Sequence, residues 1–258
     1  IELYDTKDKK VVWSDRWQEK WDNLPKIKGS LSDGLLKALD TTSKVEKKVE
    51  TTNTKAYELF LKASHAYAKR KDTNDIESAR ELLHQAIELD DTLIVAKVLL
   101  GNTYREMGDY DEAMEIYIPA LEQAEKLGDK TGMGAALNSI GIVHERKGEY
   151  DKALDYYDRS LKIQEEIGDK RGMGYNLNNI GLVHHNKGNY DKALDYYGRS
   201  LAIREEIGDK HGMGYSLMGI GNVHSDKGDY KKAKVYLEKS LSIQKGIGVG
   251  GNLPLWTN

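Results

Sequence analysis

Three histidines, His144, His184 and His224, recur at intervals of 40 residues, and His185 sits beside the second. Imidazole is a common metal ligand, so zinc binding is the first chemistry to weigh. A zinc–nitrogen bond is about 2.0–2.1 Å long, whereas equivalent residues on stacked helices lie about 8–10 Å apart. The three cannot share an ion, and their slot reads as a packing position with a partly buried ring making one hydrogen bond. The triplets Gly132-Met133-Gly134, Gly172-Met173-Gly174 and Gly212-Met213-Gly214 invite comparison with phosphate-binding loops. A dinucleotide fingerprint needs a preceding strand, and a phosphate loop ends in Gly-Lys-Ser/Thr. Neither context is present, so the triplets read as loose first helical turns, whose exposed N–H groups still suit an anion. The pairs Glu165-Glu166 and Glu205-Glu206 fall at helix ends on solvated faces. Catalytic carboxylate pairs need a shared cleft and shifted pKa values. We therefore expect no catalytic residue, no metal and no cofactor, and no enzyme activity from this chain alone.

Composition narrows the partners. The 258 residues carry 39 Lys and Arg against 42 Asp and Glu, a formal net charge of −3. That balance lacks the electrostatic footprint of a nucleic-acid binder. No apolar run approaches the length that spans a bilayer. Cysteine is absent, which removes disulfides and thiolate chemistry and fits a reducing, cytoplasmic setting. The first residue is Ile1, and the chain reads as a fragment of a longer protein.

The elements that carry these residues are repeats. Residues 128–167, 168–207 and 208–247 align without a gap, at a period of 40. Residues 88–127 form a more divergent copy in the same register, and 54–89 a fifth, with its loop at Lys71 to Asp75. Each copy reads as two amphipathic helices. Leu137, Ile140 and His144 make one buried stripe; Ala153, Tyr157 and Leu161 make the other. Gly148 stops the first helix, and Asp151 places an acid near the start of the second. Gly141 and Ala153 are small where two axes must approach. Tyr157 and Tyr197 read as core, Tyr156 and Tyr196 as coating the outer side or a seam.

The pattern Leu-x-x-Ile-Gly-x-x-His/Tyr, then Gly-x-Tyr-x-x-Ala-x-x-x-Tyr/Leu-x-x-Ser-Leu, resembles the tetratricopeptide repeat. The 40-residue period is similar to that of Leu-Gly-Asn repeats in cell-polarity adaptors and of kinesin light chains. The resemblance covers about residues 54–247. It implies an all-α fold, a right-handed superhelical α-solenoid of about five helix pairs, with first helices lining a concave groove. Helical periodicity then points Asn102, Arg105, Asn138, Ser139, Arg146, Tyr175, Asn178, Asn179, His185, Tyr215, Met218 and Asn222 into that groove. Asparagine offers both a donor and an acceptor, so it can grip a peptide backbone. The resemblance implies the same use. The Lys/Arg-rich carboxylate clamp of chaperone-binding relatives has no counterpart, since its slots hold Val98, Asn138, Asn178 and Met218. A polar and aromatic groove suits an uncharged or amphipathic segment.

Residues 1–45 depart from the repeat. Ile1 to Tyr4 and Val11 to Trp17 read as a hairpin, Leu31 to Leu39 as a short helix, and Thr41 to Thr54 as a linker or a weak helix. Leu3-x-Asp5, Trp13-x-Asp15-Arg16 and Ala56-Tyr57-x-x-Phe60-Leu61 resemble the junction between an α/β domain and a tetratricopeptide array in bacterial signalling proteins. That resemblance implies an upstream nucleotidyl cyclase or Ser/Thr kinase. Residues 248–258 leave the repeat, and their Leu253, Leu255 and Trp256 read as a cap for the open end. The function expected is a protein-interaction scaffold binding a protein or peptide, without nucleic acid or membrane. The alternative is a scaffold that self-associates into a homo-oligomer through its ends or tail.

Overall fold

A computed structural model describes residues 53–246 in full, together with the backbone of two strands. Strand β1 (Glu2–Asp5) pairs antiparallel with β2 (Lys10–Ser14), Leu3 facing Trp13 and Asp5 facing Lys10. The helix expected at Leu31 to Leu39, nearly all of the linker and the tail lie outside the described residues.

Ten helices follow among the described residues, in five pairs. They are α1 (Thr54–Lys69) and α2 (Thr73–Leu89), then α3 (Ile94–Met107) and α4 (Tyr110–Leu127). The 40-residue copies supply α5 (Lys130–Arg146) with α6 (Tyr150–Ile167), and α7 (Lys170–Asn186) with α8 (Tyr190–Glu206). The last pair is α9 (Lys210–Asp226) and α10 (Tyr230–Gly246).

The junctions repeat one device. Gly168 ends α6 in the left-handed region at φ 69°, where a Cβ would cost about 1 kcal/mol or more. The next amide, Asp169 N–H, donates to the Gln164 carbonyl at 2.9 Å and closes the turn. The Asp169 carboxylate then accepts from Gly172 N–H at 3.0 Å and caps α7. Asp129 and Asp209 do the same for α5 and α9. The Gly-Asp-Lys segment is thus a stop and a start in consecutive residues.

The chain divides into two compact units between Thr103 and Tyr104. In the first, Asn53 caps α1 by accepting from Ala56 N–H, and its amide donates to the Leu89 carbonyl at 2.8 Å. The loop between α1 and α2 is shorter than Lys71 to Asp75, because Asp72 caps α2 and Asp75 already lies in its first turn. In the second unit, α6 and α8 each pack against the first helix of their own pair and that of the next pair. Ala153, Tyr157 and Leu161 of α6 meet Leu177, Ile180 and Val183 of α7 in one cluster. Ala193 and Tyr197 of α8 meet Ile220 and Val223 of α9 in the next. Gly141 is required by close approach: a Cβ there would lie 2.6 Å from the Tyr157 ring.

The first helices α5, α7 and α9 also touch each other in succession, while the second helices make no comparable contact. Within this unit the stack therefore bends with its first helices on the inner side.

Candidate peptide-binding face

The histidine slot is a packing position. His144, His184 and His224 each stack on the tyrosine twelve residues later, at centroid distances of 5.2, 5.4 and 5.6 Å. Tyr156, Tyr196 and Tyr236 are thereby held within their own helix pairs. His144 Nδ1 bonds Glu149 at 2.7 Å. His184 Nδ1 is buried with no partner, because residue 189 is Asn and makes no such bond. Burial consequently pushes the His184 pKa below its usual value, with Lys192 and Lys187 adding to the effect and Asp158 opposing it. Among the described residues no group of three or more His, Cys, Asp or Glu could hold a metal ion.

The glycine triplets have a steric task that their sequence context did not suggest. Gln164 of α6 lies against Gly134 of α5 and Gly172 of α7, where an added Cβ would sit 3.6 and 2.6 Å from its side chain. Arg204, in the same slot of α8, lies against Gly174 and Gly212, at 3.2 and 1.5 Å from such a Cβ. The glycines open a passage through which a long polar side chain of the second helix threads between two first helices.

At the first of these joints the side chains that bond one another are all neutral. Asn176, fully buried, donates to Gln164 at 2.5 Å and Ser160 at 2.8 Å, and accepts from Asn138 at 2.6 Å. At the second, Ser216 replaces Asn176. It shares a hydrogen bond with Ser200 at 2.9 Å and donates to Asn178 at 3.4 Å. Arg204 fills the remaining space, donating from Nε to Ser200 at 3.1 Å and from Nη1 to Asp209 at 3.3 Å. Its guanidinium lies 4.8 Å from the Tyr175 ring centroid.

These bonds sort the expected groove residues. Asn138 and Asn178 bridge successive first helices and are committed to the stack. Ser139 is buried at 5% exposure and hydrogen-bonds Tyr117. Asn179 occupies the same slot as Ser139 and Gly219, and a Cβ on Gly219 would strike the Tyr197 ring, so this column faces the preceding second helix. His185 bonds Asp226 at 2.7 Å across α7 and α9. Arg105 interacts with Tyr117 and with Glu145, whose carboxyl is raised by burial against the opposing pull of Arg146 and Arg105. Asn102 belongs to the first unit, where its carbonyl accepts from Tyr67 at 3.3 Å. Met218 is half-buried, and Arg146 and Asn222 are exposed. Tyr175 and Tyr215 are the large inner-face side chains left open, at 47% and 43% exposure. Arg204 escaped the sequence reading. Its signal was the slot shared by Ala124, Gln164, Arg204 and Gln244, in which one member alone is charged.

The tetratricopeptide repeat profile matches residues 91–166 and 173–246, more than half of the sequence, and the chain belongs to that family. No curated protein sequence matches the chain. Among solved structures, BtubC (BKLC) from P. vanneervenii is similar at 18% identity and a TM-score of 0.58, over 84% of this chain and 97% of that one. A Rap protein complexed with competence and sporulation factor is similar at 14% identity and a TM-score of 0.65, over 84% of this chain and 59% of that one. A signal transduction ATPase with a tetratricopeptide repeat sensor, from Pyrococcus horikoshii, is 20% identical with a TM-score of 0.64, over 89% of this chain and 34% of that one. At these identities the likeness establishes the fold. No described helix is long and apolar enough to cross a membrane.

Proposed function

We propose that this chain is a protein-interaction scaffold that binds an extended peptide along the inner face of α5, α7 and α9. The observation that carries the reading is the row of inner-face side chains the stack does not use. Tyr175 and Tyr215 stand nearly half exposed one helix apart, with exposed Asn186 and Asn222 further along the same helices. Aromatic rings give large contact area at low entropic cost, and asparagine can satisfy backbone donors and acceptors. The structure of a similar fold complexed with a sporulation factor, and the use of another as a sensor, support this choice. The finer proposal is that the chain is the regulatory part of a bacterial cytoplasmic signalling protein, with a nucleotidyl cyclase or kinase upstream. It rests on the resemblance of the N-terminal segment.

The test is selection from a random extended-peptide library on wild type and on Asn186→Ala/Tyr215→Ala/Asn222→Ala. None of these three residues holds a repeat joint, so the thermal melt should stay unchanged. Selective peptides that the triple variant loses would support the inner face; enrichment indifferent to it would sink the proposal.

A second reading is self-association through the open end. Tyr230, Val235 and Leu241 of α10 are 72%, 49% and 37% exposed. Val235 stands where the preceding copies have Asp155 and Asp195. Molecular mass that rises with concentration, and falls back in Val235→Asp, would favour this reading.

A further inference from the structure

We infer that Arg204, approached past Tyr175, is a subsite for one carboxylate of the bound peptide. The inference rests on the inner-face reading above and specifies its chemistry.

Arg204 is almost wholly buried, at 1% exposure. A guanidinium has five N–H donors, and a buried one is costly unless they are met. Here Nε and Nη1 each make one bond, and Nη2 bonds to none of the described residues. The countercharge is weak. Asp209 gives one oxygen to the Gly212 amide at 3.0 Å and the other to Arg204 at 3.3 Å, longer than a good charge-assisted bond of about 2.7–2.9 Å. Arg171 lies within electrostatic range of Arg204 and adds a second positive charge nearby.

The position matters as much as the charge. Arg204 starts on an outer helix and passes between Gly174 and Gly212 to end beneath the exposed Tyr175 ring. Tyr215, one helix further on, packs edge-on against His211 with centroids 4.9 Å apart. A carboxylate entering beside Tyr175 would meet the unused edge of a planar fork, with Tyr175 and Tyr215 flanking the rest of the residue. The equivalent joint one copy earlier cannot do this, because Gln164 is neutral and its amide oxygen already accepts from Asn176.

The probe is the same extended-peptide library, followed by matched peptides carrying Glu or Gln at the enriched position, and a free or amidated C-terminus. Wild type should prefer the carboxylate form by about tenfold, the worth of one charge-assisted hydrogen bond. The Glu/Gln arm and the terminus arm separate a side-chain carboxylate from a chain end. Arg204→Gln restores the residue found at 164 and 244, so it should fold. It should bind Glu and Gln peptides equally, while neutral peptides retain their affinity. Should that variant melt early, Arg171→Gln, an exposed change, should still reduce the preference. Equal binding of acid and amide by wild type, or a preference that Arg204→Gln keeps, overturns the subsite and leaves the inner-face reading standing. No enrichment of any peptide overturns both.

Discussion

The joint between α5 and α7 and the joint between α7 and α9 are built on the same template and solve it differently. The first is a closed neutral network in which Asn138, Asn176, Gln164 and Ser160 satisfy one another. The second keeps the serine anchor, Ser200 to the Gly174 carbonyl at 2.8 Å, but exchanges Asn176 for the shorter Ser216 and Gln164 for Arg204. Glycines stand at the same slots in both joints, so either polar side chain finds room between the first helices. The chemistry of a joint is thus free to vary on a fixed backbone. That freedom lets one repeat interface close on itself while its neighbour buries a guanidinium whose Nη2 bonds none of the described residues.

The largest effect should come from breaking the neutral joint. Asn176→Ala strands Gln164 and Asn138 in a buried site and is expected to cost about 3 kcal/mol, read as a lower urea midpoint. Gly141→Ala should follow. It gains about 1 kcal/mol of helix propensity, but drives a Cβ into the Tyr157 ring, which the core holds, an overpacking cost of about 1–3 kcal/mol. A net gain in stability would show that the helix pair spacing is softer than the glycine implies.

Converting the charged joint into the neutral one tests the comparison directly. Arg204→Gln alone should change stability by no more than about 1 kcal/mol, since the lost ion pair is offset by relief of a buried charge. Adding Ser216→Asn should rebuild the first network and raise stability by about 1 kcal/mol over the single variant. Strict additivity of the two changes would contradict the idea that they share one network.

Acid should expose the buried imidazole. Because the folded-state pKa of His184 lies below the usual value, the unfolded chain binds the proton more readily. Its contribution to stability is complete above the ordinary histidine range of about 6.5 and is lost as pH falls through it, levelling off below the lowered value. The melting temperature should therefore fall between neutral and mildly acid pH, and His184→Phe should flatten that slope.

The smallest effect belongs to the ladder of Lys147 with Asp111, Lys187 with Asp151 and Lys227 with Asp191, each linking one first helix to the preceding second helix. Lys187→Ala should cost about 0.5 kcal/mol or less, and the difference should vanish at high salt.

Much of this molecule was legible in its residues. The 40-residue period, the αL glycines and the apolar stripes define every helix of the three aligned copies, because those signals are local and repeat together. Gly141 with Ala153 announced a close approach for the same reason. The groove was less legible. Helical periodicity finds the side chains that miss their own partner helix, but it cannot separate those facing solvent from those facing the next repeat. Asn138, Asn178, Ser139 and Asn179 fell on that second class, while Tyr175, Tyr215 and Asn222 remained open. Arg204 marks the limit most clearly. Sequence placed it near a helix end, where arginine is ordinarily solvated. Only the packed structure brings Gly174 and Gly212 to either side of it, because whether a charge is buried depends on neighbours 30 and 8 residues away in the chain. Local sequence determined the repeat; contacts between repeats decided which of its polar residues hold the stack and which stay exposed.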